Sequence, residues 1–380
     1  MGGQGIMTAY TATQPHKRMV TDRIILADPM SIAGLNALGL HNEAKFSFVN
    51  APGRTYEWLE DTYLPRETTC ADAATFTCDS TTTTIDVATG KGVYFNIGDV
   101  IQIDSEYMWV SAISTDTITV TRDFGGTQDT HASTSAVYIR YNTRLEGTTV
   151  GTNNGYTEPS TGYNYSSILQ KPINISRTNA LIKQYGIANV VEREIDKGMD
   201  ELMMKLNLSL YHGQRATGSA STPRSLGGLA TFVTTNPTSA SSAALTEKMI
   251  VDEIQQCWEA GGAPDMILCN AWAKRKIGSF FEGYVRTERD ETRGGIIIDK
   301  MVNPIAGGEI DVVVDRHCPT NYLWLVDRRY VGFITVEDFF YEELGKVGDS
   351  AAYGEIVGEY GLVVAFEKAH SNVNTFLTTA

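Results

Sequence analysis

Six histidines (His16, His41, His131, His212, His317, His370) and five cysteines (Cys70, Cys78, Cys257, Cys269, Cys318) are the residues of this 380-residue chain best suited to ligate a metal or act as nucleophiles. Their spacing supports neither role. No C-x-x-C or H-E-x-x-H occurs, and Cys70 and Cys78 stand eight apart in a Thr-rich stretch, which is not a zinc-ligand spacing. His317 and Cys318 suggest a Cys–His dyad, but adjacent residues on a strand point to opposite faces. Carboxylate pairs such as Glu342-Glu343 and Asp290-Glu291 could act as acid and base on a polysaccharide, yet an acidic chain carries such pairs on its solvated surface. Gly90-Lys91 and Gly345-Lys346 lack the upstream glycine of a phosphate loop, and Gly3-Gln4-Gly5 has no strand before it. The reading is no catalytic residue, no cofactor and no metal.

Composition narrows the class further. With 31 Lys+Arg and 45 Asp+Glu the net charge is −14, which argues against a protein whose main task is gripping a phosphate backbone. No run approaches 18 apolar residues, so no membrane span is expected. The odd cysteine count and uncharged start (Met1–Tyr10) predict reduced thiols and no export signal. At this length, two or three domains are expected.

Residues 1–45 carry scattered apolar positions broken by Pro15, Pro29, Gly34 and Gly39, which predicts an extended arm with short helical pieces. Residues 68–150 are Thr-rich, with period-2 runs at Val100–Ile103, Met108–Ile113, Ile118–Thr121 and Ala136–Ile139. Turn signals lie at Gly98-Asp99, Ser105-Glu106, Thr115-Asp116 and Gly125-Gly126, so a small antiparallel barrel or sandwich is predicted. A helix is expected over Val190–Tyr211, about 33 Å long. Asn189 and Glu192 form its capping box, its stripe is Val191, Ile195, Met199, Leu202, Leu206 and Leu210, and His212-Gly213 is its stop. Residues 214–244 read as a loop. A helix capped by Thr246 is expected to use Met249, Ile250, Ile254 and Trp258. A strand Met266–Leu268 and a helix Ala271–Phe281 capped by Asn270 follow, then strands Ile310–Val314, Tyr322–Val326, Val331–Thr335 and Glu355–Phe366. Phe333, Phe339, Phe340 and Tyr341 are expected in the core. The class is α+β, with an all-β module inserted early.

This order resembles the major capsid proteins of tailed bacteriophages with the Hong Kong 97 (HK-97) fold. The likeness rests on the helix ending Leu206-Asn207-Leu208-Ser209-Leu210-Tyr211-His212-Gly213, similar to the family's spine helix. It rests also on Gly262–Asn270 with its flanking helices, similar to the axial (A) domain core, and on Ala352–Val364 before Ala369-His370, similar to the last strands of the peripheral (P) domain. The resemblance implies an N-arm (1–45), E-loop legs (46–67 and 151–178) lying across a neighbouring subunit, and a β-barrel-like insertion (68–150). It further implies P-domain segments at 179–238 and 341–380 and an A-domain at 239–340. The family's N-terminal scaffolding domain has no counterpart here, which implies a separate scaffolding protein or a removed segment.

By the same resemblance the chain would self-assemble into hexamers and pentamers of an icosahedral head in the bacterial host cytoplasm. Its partners would be a portal protein, possible decoration proteins and packaged double-stranded DNA held without sequence specificity. The assembly-contact candidates are Arg54, Glu57 and Trp58 on the first E-loop leg, Glu194 and Lys197 on the charged side of the spine helix, and Arg286, Arg289 and Asp290 in a charge-mixed loop. A tail or decoration protein is the alternative that the Thr-rich barrel favours, and a polysaccharide hydrolase is the enzymatic one.

Overall fold

A computed structural model describes residues 32–39, 53–71, 83–147, 157–182, 187, 189–281, 300–305, 307–345, 348 and 350–378. In chain order the elements are α1 (Ala33–Leu38), β1 (Thr55–Glu60), β2 (Glu67–Thr69), β3 (Thr84–Asp86), β4 (Asp99–Ile103), β5 (Glu106–Ser114), β6 (Thr117–Thr121), β7 (Ala136–Asn142), β8 (Ser160–Tyr165) and β9 (Ser167–Ser176). There follow α2 (Arg177–Leu181), α3 (Val190–His212), α4 (Leu229–Phe232), β10 (Pro237–Ser239), α5 (Glu247–Glu259), β11 (Met266–Cys269), α6 (Ala271–Phe281), β12 (Lys300–Val302), β13 (Glu309–Val314), β14 (Tyr322–Val326), β15 (Val331–Glu343), β16 (Ser350–Val364) and β17 (Ser371–Asn374). The chain forms two compact units, Leu59–Thr161 and the remainder.

The Leu59–Thr161 unit is built from the period-2 runs. Its strands form a six-stranded sheet in the order β2-β7-β4-β5-β6-β3. A Cys70–Val87 bridge, with Ala71 N–H donating to Asp86 O and Ala88 N–H to Thr69 O, carries the first strand onto the last. Joining the ends removes the open edges that would otherwise invite pairing with another chain. Alternate residues Ile101, Ile103, Met108, Val110, Ile118 and Val120 fill one core. The β4–β5 turn falls at Asp104-Ser105, one residue before its expected place, because Asp104 adopts the left-handed conformation (φ 50°) that such a turn needs. Buried inside, Glu106 accepts both arms of the Arg122 guanidinium (2.9 and 2.6 Å) and the Asp129 amide (3.0 Å), and His131 Nε2 lies 2.9 Å away.

In the other unit, β10-β17-β14-β11-β13-β12 form a six-stranded mixed sheet. Strands β11 and β13 run parallel, whereas β11 and β14, and β12 and β13, are antiparallel. Helices α5 and α6 cover one face through Ile250, Ile254, Ala273 and Ile277. The other face contributes Met266, Leu268, Trp324 and Val326 to a core shared with Leu206, Leu210 and Tyr211 of α3 and Leu35 and Leu38 of α1. A three-stranded sheet, β15-β16-β9, packs Ile356 and Ile173 against Leu202 of α3.

Asn189 caps α3 by accepting from Val191 N–H at 3.0 Å, and the helix runs one residue further than expected, to His212. Gly213 ends it with an ordinary negative φ (−54°). Glycine is required there by crowding, since a Cβ would stand 2.5 Å from Ser209 O and 2.8 Å from Gly228 N. The buried face holds Gly198, Leu202, Leu206, Asn207, Leu210 and Tyr211, while Val191, Ile195 and Met199 are only half-buried.

Four expectations change. Trp258 does not join the α5 core and is 52% exposed, with Glu253 and Cys257 inside instead. Seven residues turn a helix about 20° short of two full turns, so Cys257 returns beneath Ile250 while Trp258 drifts off the face. Residues 214–244 are not a plain loop, because an Ala216–Ser225 bridge, α4 and β10 lie within them. Strand β15 continues from Thr335 to Glu343 through two register shifts, and these turn Phe340 outward to 37% exposure. The second leg is two strands: β8 pairs with β1, whereas β9 pairs with β16.

Candidate assembly surface

Alternation along β1 puts Tyr56 and Trp58 on one face and Glu57 and Leu59 on the other. The first pair is buried and stacked, with ring centroids 6.4 Å apart, and Trp58 leans on Phe232 at 5.9 Å. The Tyr56 hydroxyl accepts from Leu362 N–H (2.7 Å) and lies 3.1 Å from Leu362 O and 3.2 Å from Tyr165 O, the acceptors for its own proton. Burial pushes the Tyr56 phenol well above its usual range, so it stays a donor. Glycines make room for both rings: a Cβ at Gly361 would stand 2.5 Å from the Tyr56 hydroxyl, and one at Gly162 2.5 Å from the Trp58 indole.

Polar side chains fasten β8 beside it. The fully buried Asn164 accepts from Gly227 N–H (2.8 Å) and donates to Leu362 O (2.7 Å), which ties β8 to the segment after α3 and to β16. Ser166 donates its hydroxyl to Glu359 at 2.5 Å, and Arg224 pairs with the same carboxylate while donating from Nε to Ser166 O at 3.1 Å. Arg215 lies over the Tyr163 ring at 4.4 Å.

Arg54, Glu57 and Leu59 are not consumed by this packing. Arg54 and Glu57 are exposed, and among the described residues neither side chain makes a hydrogen bond or ion pair. Arg54 lines a shallow depression of about 370 Å³ together with Ile168, Pro223, Arg224 and the hydroxyl-bearing residues 217–222. Leu59 is 73% and Ile168 54% exposed. Trp58, expected at a contact, is spent inside its own subunit because its indole fills the space over Gly162.

On α3, Lys197 is exposed and reaches Glu201 only at 4.0 Å, while Lys171 of β9 binds Glu201 at 2.7 Å and thereby holds that carboxyl below its usual range. Glu194 is half-exposed on the same helix. Arg286, Arg289 and Asp290 lie outside the described residues. The depression beside Arg54 was not legible in the sequence, since residues 214–226 offered only loop formers.

Burial pushes the Cys257 and Cys269 thiols up to about 12 and Cys318 higher still, so these three are held as thiols rather than thiolates at neutral pH. Among the described residues no group of three or more His, Cys, Asp or Glu is placed to hold a metal. No described helix is long and apolar enough to cross a membrane.

The capsid of an empty GTA particle superposes on the chain with a TM-score of 0.51 at 9% identity, covering 98% of this chain and 100% of that one. The capsid of Myoviridae phage XM1 gives 0.50 at 10% identity, covering 98% and 99%. At these identities the likeness is one of fold, a mixed α/β architecture of HK-97 type. No curated protein matches the sequence. The model of the SU10 major capsid protein family matches residues 5–376, so the chain belongs to that family and is a tailed-phage major capsid protein of the head shell.

Proposed function

We propose that the chain assembles as hexamers and pentamers into an icosahedral head that encloses double-stranded DNA. The observation that carries this is the family match over residues 5–376, joined to a subunit whose exposed ribbon strand offers Glu57 and Leu59 to no partner of its own. In this reading β1 and β8 form the E-loop stem and residues 68–150 are an insertion in it. Helix α3 with the β15-β16-β9 sheet forms the P-domain, and the six-stranded sheet with α5 and α6 forms the A-domain. A scaffolding protein, a portal and possible decoration proteins are the further partners, and assembly takes place in the host cytoplasm. The net charge of −14 suits a shell that contains DNA without adhering to each phosphate. Sedimentation of the full chain, alone and with its scaffold, tests the reading: particles far above 41.6 kDa are expected, and a monomer under both conditions contradicts it.

A further inference from the structure

We propose that Glu57 of one copy pairs with Arg54 of a second copy, with Leu59 of the first covering Ile168 of the second. This deepens the assembly reading above and rests on it.

The argument begins with what each side chain lacks. Arg54 presents a guanidinium at the rim of the 370 Å³ depression with no ion pair among the described residues, whereas the neighbouring Arg224 is already held by Glu359 and Ser166 O. Glu57 is equally free, and two residues on, Leu59 exposes 73% of its surface. The two patches match in kind. One carries an anion beside an aliphatic side chain, the other a cation beside the 54%-exposed Ile168. In an acidic chain, copies repel unless unspent cations meet carboxylates across the contact.

Placement then points to the kind of contact. Arg54 stands just before β1 and Glu57 within it, and among the described residues no ion pair joins the two inside one subunit. A subunit that leaves a cation and an anion unpaired at different points can hand the contact from copy to copy. Such head-to-tail interfaces close into rings when the rotation allows, as hexamers and pentamers require.

Charge exchange tests the pairing. Arg54→Glu and Glu57→Arg, made singly in the full chain, are expected to lower the yield of shells at least about tenfold at physiological salt, and the double exchange to restore most of it. Circular dichroism melting of each variant should match the parent, because neither side chain has a partner within its own subunit. Single variants that assemble like the parent, or a double variant no better than the singles, overturn the pairing while leaving the capsid reading intact. A parent protein that forms no shells overturns the reading itself.

Discussion

Asn207 on α3 donates through Nδ2 to Asp315 Oδ2 at 2.7 Å, joining residues 108 positions apart in a fully buried site. The same Asp315 oxygen accepts from Gly34 N–H (3.0 Å) and the Tyr211 hydroxyl (2.9 Å), and Asn207 Oδ1 accepts from Leu35 N–H (3.1 Å). The first turn of α1 is thus pinned to the long helix and to the six-stranded sheet through one carboxylate. A Cβ at Gly34 would lie 2.7 Å from that carboxylate, so glycine is needed for the approach. Burial, reinforced by the charge of Asp315, raises the Tyr211 phenol far above its usual range and keeps it a donor.

Asp315→Ala leaves the Gly34 amide, the Asn207 amide and the Tyr211 hydroxyl buried without their acceptor. The expected cost is about 3–5 kcal/mol in urea unfolding, with exchange of the α1 amides rising first. Tyr211→Phe removes a single donor and should cost about 1–2 kcal/mol. Equal effects from the two changes would show that Asp315 is not the hub.

Helix α3 separates folding from surface chemistry. Leu202 is fully buried against Ile356 and Ile173, so Leu202→Asp places an unpaired charge in the core and should cost several kcal/mol and solubility. Glu194→Lys, on the half-exposed side, should change stability by about 0.5 kcal/mol or less. Thermal melting checks both, and an unaltered melt for Leu202→Asp would put the helix face in the wrong place.

Acid should loosen the two units in order. Burial holds the His370 imidazole down to about 4, in the neutral form that accepts from Asp327 N–H (3.1 Å) and donates to Ala365 O (3.1 Å). The unfolded chain binds this proton first, so roughly 3 kcal/mol of stability is lost as pH falls from about 6.5 to 4. Burial alone would raise Glu106, but the hydrogen bonds from Arg122, the Asp129 amide and His131 outweigh it and hold the carboxyl at about 2. Its contribution, also roughly 3 kcal/mol, is present above its unfolded value of about 4.5 and is lost between there and pH 2. Hydrogen exchange at stepped pH should therefore show β17 opening before β5. The reverse order contradicts the assignment.

Glu253 runs the other way. It is fully buried on α5, and the nearby Thr238 and Ser371 hydroxyls only partly offset the cost of that burial. Burial raises its carboxyl, so stability falls as pH rises from the unfolded value through the folded one. Glu253→Gln removes that penalty. Guanidinium unfolding should show the variant gaining on the parent at pH 8, with the gain disappearing near pH 4. A variant whose stability relative to the parent is the same at both pH values counts against a raised Glu253 carboxyl.

Periodicity made the backbone legible and polar contacts hid the joints. The α3 span, its Asn189 cap and the strands β4 to β7 follow from local pattern, because each buries one face. Nothing local in the sequence shows that Asn207, Asn164 and Asp315 are buried, because the partners that satisfy them in the core come from distant segments. Trp258 misled because two aliphatic residues four apart suggest a stripe that a 3.6-residue turn does not sustain. Arg54 and Glu57 were visible as charges on an extended leg, but the depression beside Arg54 needed residues 217–224, which have no period to read. Trp58 looked available because Gly162, the residue that makes space for it, lies more than a hundred positions away.

Electron microscopy of the full-length chain, purified alone and together with its scaffold, bears most directly on the claim that this is a shell-forming subunit. Closed particles of uniform diameter with six-fold and five-fold capsomers are predicted. A chain that stays a 41.6 kDa monomer under both conditions, with β1 and β8 ordered and fully protected, would contradict it.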